Sequence, residues 1–159
     1  MQRIMRGLVW LLAGVTTVVL AVGVAVVIQI DDWSRDLATN IAETRWDAGN
    51  PELRPLSVDD PLAALADLIV VEGSALPRWT LTGWQVTDSL IELRFVRTTR
   101  LFRFRDDITV RVADRGDRRE VTAISASRVG HGDLGQNPRN LEELFRRLRS
   151  RLSGGPGRG

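Results

Sequence analysis

Side chains able to do chemistry are few in this chain, and most of them sit together. Between Ser125 and Leu144 the sequence reads SASRVGHGDLGQNPRNLEEL, which gathers Ser127, Arg128, His131, Asp133, Asn137 and Arg139; upstream, Asp106 and Asp107 form an adjacent acidic pair. Three kinds of chemistry follow from these types. Backbone N–H groups where a loop enters a helix favour anions, and with Arg128, Arg139 and His131 nearby such a loop can hold a phosphate, a carboxylate or an anionic headgroup. A carboxylate such as Asp107 can orient the His131 imidazole for acid/base work. A divalent ion would want three or more ligands, and only Asp106, Asp107, Asp133 and His131 are on offer. Each reading has a structural competitor. Gly130, Gly132 and Gly135 can supply positive-φ turns, Asn137 before Pro138 is a helix cap, and Asn140 with Glu143 is a variant capping box.

Composition narrows the choice. All 22 basic residues are arginine, and there is no lysine, cysteine or tyrosine. Thiol nucleophiles, Schiff-base lysines, thiolate metal sites and disulfides are excluded. No Ser-His-Asp elbow, phosphate-binding loop or dinucleotide fingerprint is present. The expectation is a binding site at Ser127, Arg128, His131, Asp133, Asn137, Arg139, Asp106 and Asp107, without catalytic residues, metal ligands or a cofactor. Charge is unevenly spread: residues 31–92 carry four arginines and twelve acids, residues 93–159 sixteen arginines and eight acids. An anionic partner for the second half and pairing between two complementary halves both account for this split.

The elements that must position these residues follow from periodicity. Asp60 and Pro61 open a helix whose Leu62, Leu65, Leu68 and Ile69 form one stripe, ending near Gly73. After Pro77 the period switches to two. Trp79 to Val86 reads as a strand with a register change near Gly83; Ile91, Leu93 and Phe95 mark a second strand, Ile108, Val110 and Val112 a third, and Val121 to Ala126 a fourth. DRGDR at 114–118 joins the last two as a hairpin, and Phe102 and Phe104, alternating with arginines, can extend the second or third strand. A C-terminal helix runs from about Pro138 to Leu152, with Leu141, Leu144, Phe145, Leu148 and Leu152 on one face and Arg146, Arg147 and Arg151 largely elsewhere. The whole is an α+β fold: a helix, a four-stranded antiparallel meander and a C-terminal helix in two layers, both helices on the apolar face and Arg94, Thr109 and Arg111 on the wet one.

In front of this domain, Leu8 to Ile30 contains no charged residue, and 23 residues at 1.5 Å cover the roughly 30 Å of a bilayer's hydrocarbon. The run exceeds a secretory signal's apolar core, so an uncleaved signal-anchor is expected. Arg3 and Arg6 precede it and Asp31 and Asp32 follow, which places the N-terminus in the cytoplasm of a bacterial inner membrane and the domain in the periplasm or outside. The expected organisation is a stub and single-pass anchor over 1–30, a juxtamembrane segment and linker over 31–57, the domain over 58–152 and a disordered tail over 153–159. Trp33, Leu37 and Ile41 predict a short juxtamembrane helix, while Trp33 and Trp46 suit either the membrane interface or a cap on the core.

At Thr98 to Val112 (TTRLFRFRDDITVRV), and more specifically at Ser127, Arg128, Gly130, Asp133, Leu134, Gly135, Asn137 and Arg139, the chain resembles the bacterial family known as domain of unknown function 1499. The resemblance extends over about residues 46–150, and more weakly over WSRDLATN at 33–40. It implies an often membrane-attached bacterial domain and no particular activity; many members carry cysteines near the start of the domain, which this chain lacks. Taken together, the expectation is a non-enzymatic periplasmic binding or assembly module for a partner protein or an anionic envelope component. A small metal- or acid/base-dependent hydrolase and a structural subunit of a membrane complex are the alternatives. Partners are then the membrane, a membrane-protein complex or anionic lipid, and not nucleic acid.

Overall fold

A computed structural model describes residues 2–29, 40–100, 103–129 and 135–154. The first element, α1 (Gln2–Gln29), is a continuous helix of 28 residues. Its side chains are described at Arg6 and from Trp10 to Val24, where Trp10, Leu11, Leu12, Val15, Val18, Val19, Leu20, Val22 and Val24 are all exposed. Among the described residues no helix is long and apolar enough to cross a membrane; Trp10 to Val24 alone extends about 22 Å, short of the bilayer's hydrocarbon. What the fold supplies here is a long helix with a bare apolar surface.

The domain itself is an antiparallel sheet with two helices on one face. Its strands are β1 (Ile41–Glu43), β2 (Leu56–Val58), β3 (Trp79–Val86), β4 (Leu90–Thr98), β5 (Arg105–Asp114) and β6 (Arg119–Ser127). The order is β1-β6-β5-β4-β3, and β2 shares the outer edge of β6 with β1. The predicted meander is therefore present as β3 to β6, with the register shift between Leu81 and Gly83 where glycine interrupts the alternation. Two strands were not foreseen. Ile41, expected in a juxtamembrane helix, instead pairs with Ala126, and Leu56 pairs with Val121. Three-residue strands carry too little alternation to show a period, and β6 offers each of them a ready row of backbone partners. Between them a 3-10 turn (Pro51–Leu53) is capped by the Asn50 side chain, which accepts from the Glu52 N–H.

Helices α2 (Leu62–Ser74) and α3 (Gln136–Ser153) cover the apolar face. Phe95, Ile108, Val110, Val112 and Val121 from the sheet meet Leu65 and Ile69 from α2 and Leu141, Leu144, Phe145 and Leu148 from α3, all nearly inaccessible to water. Gly73 lets α2 come close: a Cβ there would lie 2.9 Å from the Phe95 ring. Capping differs from expectation at both helices. Pro61 rather than Asp60 occupies the N-cap of α2, with no side-chain cap. Gly135, at φ 75°, is the N-cap of α3, so Asn137 and Asn140 lie inside the helix. Arginines of α3 that lie off its apolar stripe are partly engaged within the fold. Arg151 and Arg147 clamp the buried Glu72 of α2 at 2.7 and 3.5 Å, and Arg149 donates to the carbonyls of Pro51 and Arg54. Trp46 is exposed and does not cap the core. Trp33 and Leu37, and residues 155–159 of the expected tail, lie outside the described residues.

Candidate functional site

Strand register decides what the candidate residues can do. Arg97 on β4 stands opposite Asp106 on β5, and Asp106 stands opposite Ser127 on β6. Because successive side chains of a strand point to opposite faces, Asp106 shares the helix-covered face with Ile108, whereas Asp107 turns to the other face. The adjacent acids thus do not act as a pair. Asp106 is buried at 1% exposure and Asp107 is about half exposed.

Above Asp106, the first turns of α3 lay two asparagines over the end of the sheet. The Asp106 carboxylate accepts from Ser127 Oγ at 2.7 Å and from Asn140 Nδ2 at 3.1 Å. Asn140 Nδ2 also donates to Ser125 Oγ at 3.0 Å, and its Oδ1 accepts from Gln136 and from the Arg97 guanidinium. Ser125 Oγ donates to Asn137 Oδ1 at 2.6 Å; Asn137 Nδ2 donates to Ser127 Oγ and to the backbone carbonyl of Asn40. Buried polar atoms are costly unless satisfied, and satisfied networks of this kind fix one arrangement of the elements they join. Here they join β4, β5, β6, α3 and the point at which the chain enters the domain. Asn40 is tied in a third way, accepting from the Ser127 N–H while its own side chain donates to the Ser127 carbonyl.

Charge at this end is dominated by arginine. Burial pushes the Arg97 guanidinium below its ordinary pKa, opposed by Glu143 at 3.4 Å and reinforced by repulsion from Arg78 and Arg139; Asp106 also opposes it. On the far face Arg128 grips Asp107 with two charge-assisted hydrogen bonds of 2.8 and 2.7 Å, and that hydrogen bonding, followed by the carboxylate's charge, raises the Arg128 pKa. Arg139 Nε donates to the Gly135 carbonyl at 3.0 Å, across the first turn of α3.

Of the eight residues expected to bind, the structure brings Asp106, Ser127 and Asn137 into one buried network and pairs Arg128 with Asp107; Arg139 stands beside them, and His131 and Asp133 lie outside the described residues. Among the described residues no three His, Cys, Asp or Glu side chains are placed to share a metal ion. Sequence reasoning missed Arg97, Ser125 and Asn140. A signal existed for the first two, since Arg97 continues the alternation of Leu93 and Phe95, and Ser125 that of Val121 and Ala123, onto the buried face. Asn140 carried an ambiguous signal, because asparagine near a helix start reads as a cap.

No curated protein and no solved structure matches the chain. Residues 32–148, more than two thirds of its length and including the buried network, match the family described as protein of unknown function (DUF1499), and the chain belongs to that family.

Proposed function

We propose that the protein is a membrane-tethered periplasmic module of a bacterial inner membrane, non-enzymatic, that binds a partner protein or an anionic envelope component at the sheet end where the chain enters the domain. The observation that carries this reading is the triple attachment of Asn40 to Ser127 and Asn137. Whatever holds α1 holds this end of the sheet, because only residues 30–39 intervene, a reach of about 35 Å when fully extended. The uncharged run Leu8–Ile30 and the exposed apolar surface of α1 support a bilayer as the holder. The buried network then acts as a fixed floor, and Arg128 and Arg139, with His131 and Asp133 between them in sequence, are the groups offered to a partner.

The test is fractionation of the full chain in a bacterial host. It should remain in the membrane pellet after alkaline carbonate, and protease added to spheroplasts should remove its C-terminal end. Recovery in the carbonate wash, or a protected C-terminus, overturns the tether. Partner capture with an Arg128→Ala, Asp133→Ala double variant tests the loop: an unchanged partner set removes it from the binding site.

A second reading, a structural subunit of a membrane complex, is favoured by β3. This strand ends the sheet, carries no charged residue over its eight positions and exposes Trp84 and Val86. Such an edge invites pairing with another chain. Comigration with a larger assembly after gentle solubilisation, lost in Trp84→Glu, supports it; migration as the isolated chain removes it.

A further inference from the structure

The β4–β5 connection carries TTRLFRFR at 98–105, and at its base lies a surface cleft of about 400 Å³ lined by Arg78, Thr80, Thr98, Thr99, Arg100 and Arg103. Three guanidinium groups and three hydroxyls line it, and no acid does. Many arginines of the domain are neutralised locally: Arg94 and Arg111 by Glu92, Arg115 by Glu120, Arg119 by Asp114 and Arg128 by Asp107. Of the described arginines, those without an acid, such as Arg105 and Arg146, do not gather around a common cleft with other arginines as these three do. Among the described residues Arg100 and Arg103 have no such partner. Arg78 uses its Nε on the Thr98 carbonyl at 3.1 Å, which anchors the side chain across β3 and β4 and leaves its outer nitrogens available.

A second observation comes from the backbone. Among the described residues the only two outside glycine with positive φ are Arg78 at 64° and Arg103 at 54°, and both line this cleft. A side-chain-bearing residue in the left-handed region is disfavoured, and such strain persists where the surrounding structure holds it, commonly at ligand sites. Thr99 and Phe104 hold it here: the Thr99 N–H donates to the Phe104 carbonyl at 2.8 Å, and the Phe104 N–H donates to Thr99 Oγ1 at 2.9 Å.

We infer that this cleft binds a phosphate group, gripped by Arg78, Arg100 and Arg103 with the threonine hydroxyls as further donors. Guanidinium forks match phosphate oxygens in pairs, and a tetrahedral dianion or a phosphodiester suits convergent donors better than a lone carboxylate does. Repulsion between Arg78 and the desolvated Arg97 is relieved by the same anion. Two sources present this chemistry, the headgroup of an anionic lipid and a soluble phosphate. The lipid source rests on the tether proposed above; the site itself does not. For a tethered chain the position is suitable, because the ends of β4 and β1 belong to the same end of the sheet, three strand spacings or about 14 Å apart. Arg100, Leu101, Phe102, Arg103 and Phe104 also interleave cations with apolar residues, the composition that suits a bilayer surface.

The experiment is a calorimetric titration of the full chain in neutral detergent with inorganic phosphate and, separately, with short-chain phosphatidylglycerol, phosphatidylcholine serving as the zwitterionic reference. Wild-type protein should bind at least one of the two anions, and Arg100→Gln with Arg103→Gln should weaken that binding at least tenfold, while Arg118→Gln at the opposite end of the sheet leaves it unchanged. Arg103→Gly guards against misfolding, since glycine accepts φ 54° without strain; it should fold and still bind several-fold more weakly. Phosphatidylglycerol binding tenfold or more tighter than phosphate assigns the lipid source, and equal affinities assign the soluble one; both support the site. Absence of binding by folded wild-type protein, or equal binding by the folded double variant and Arg103→Gly, overturns it. A chain released by carbonate that still binds phosphate refutes the tether and keeps the cleft; a chain retained in membranes that binds neither anion does the reverse.

Discussion

The two ends of the sheet use the same residue, arginine, in opposite ways. At the end formed by the 86–90 and 114–119 turns, a cleft of about 480 Å³ contains Arg111, Arg115, Glu92, Asp114 and Glu120, and each arginine there has a carboxylate within 3.0 Å. At the other end, where the chain enters, Arg97 is sunk over a carboxylate and two asparagines while Arg78, Arg100 and Arg103 gather around a cleft without acids. The difference shows that the charge asymmetry of the sequence is not simply cancelled by folding. It is cancelled at one end, whereas at the other Arg97 and Arg128 have acids and the cleft of Arg78, Arg100 and Arg103 has none. Cations gathered around one cleft without an acid are a cost that folding alone gives no reason to keep, and their coincidence with left-handed backbone sets the second end apart.

The largest effect that separates the ends is on stability. Asp106→Ala removes the acceptor for Ser127 and Asn140 and the nearest buried countercharge to Arg97, leaving donors stranded in the interior. A loss of about 3 kcal/mol is expected. Asp114→Ala, its counterpart at the balanced end, breaks a partly exposed pair of 3.4 Å with Arg119 and a turn hydrogen bond from the Gly116 N–H at 2.8 Å, and should cost about 1 kcal/mol. Urea unfolding of the full chain in neutral detergent measures both. Equal losses would mean that the buried layer is no more binding on the fold than a surface ion pair.

Next in size is an effect of pH at the balanced end. Arg111 first, and then Arg94, hold Glu92 below the ordinary glutamate range against its partial burial. A depressed carboxylate stabilises the fold at pH values above its unfolded pKa, and that contribution disappears as pH falls through the lowered folded value. Glu92→Gln should therefore lose a little stability near neutrality, under about 1 kcal/mol, and show a flatter acid limb. It also leaves Arg94 and Arg111 without their carboxylate, so it should give the balanced end a weak phosphate affinity that wild type lacks there. A variant with the parent's acid limb would show that the triad contributes nothing.

How far these contrasts were legible beforehand depended on length and register. Strands β3 to β6 and both helical stripes are long enough to show their periods, so Phe95, Ile108, Val110, Leu141 and Phe145 were identified as core from spacing alone. β1 and β2 were not, because Ile41–Glu43 and Leu56–Val58 are defined by what β6 offers them rather than by any pattern of their own. In the site, the sequence grouped Ser127, Asn137 and Asp106, and the structure does bring them together. It could not say that adjacent Asp106 and Asp107 would face opposite ways, which depends on where β5 begins. Nor could it separate Arg100 and Arg103 from the other arginines, since what distinguishes them is that they share one cleft with Arg78 and no acid lines it. Left-handed backbone at Arg78 and Arg103 has no signature in composition, because arginine is an unusual residue to find there.

Two smaller effects sharpen the comparison. Arg103→Gly should raise stability by about 0.5–1 kcal/mol in urea unfolding, because it relieves the left-handed strain at that position. A decrease would mean that the side chain anchors the turn and that the strain is structural in origin. Arg128→Ala should leave the unfolding midpoint where it is. Its two hydrogen bonds to Asp107 are short, but both partners are about half exposed, and water replaces such a pair with little loss. That outcome separates the two carboxylates of the acidic pair by consequence as well as by face: Asp106 is fixed by the fold, whereas Asp107 and Arg128 remain on the surface as an exchangeable couple. A measurable destabilisation would instead tie Arg128 to the buried layer beneath it, and Arg128 would then be held by the fold rather than offered to a partner.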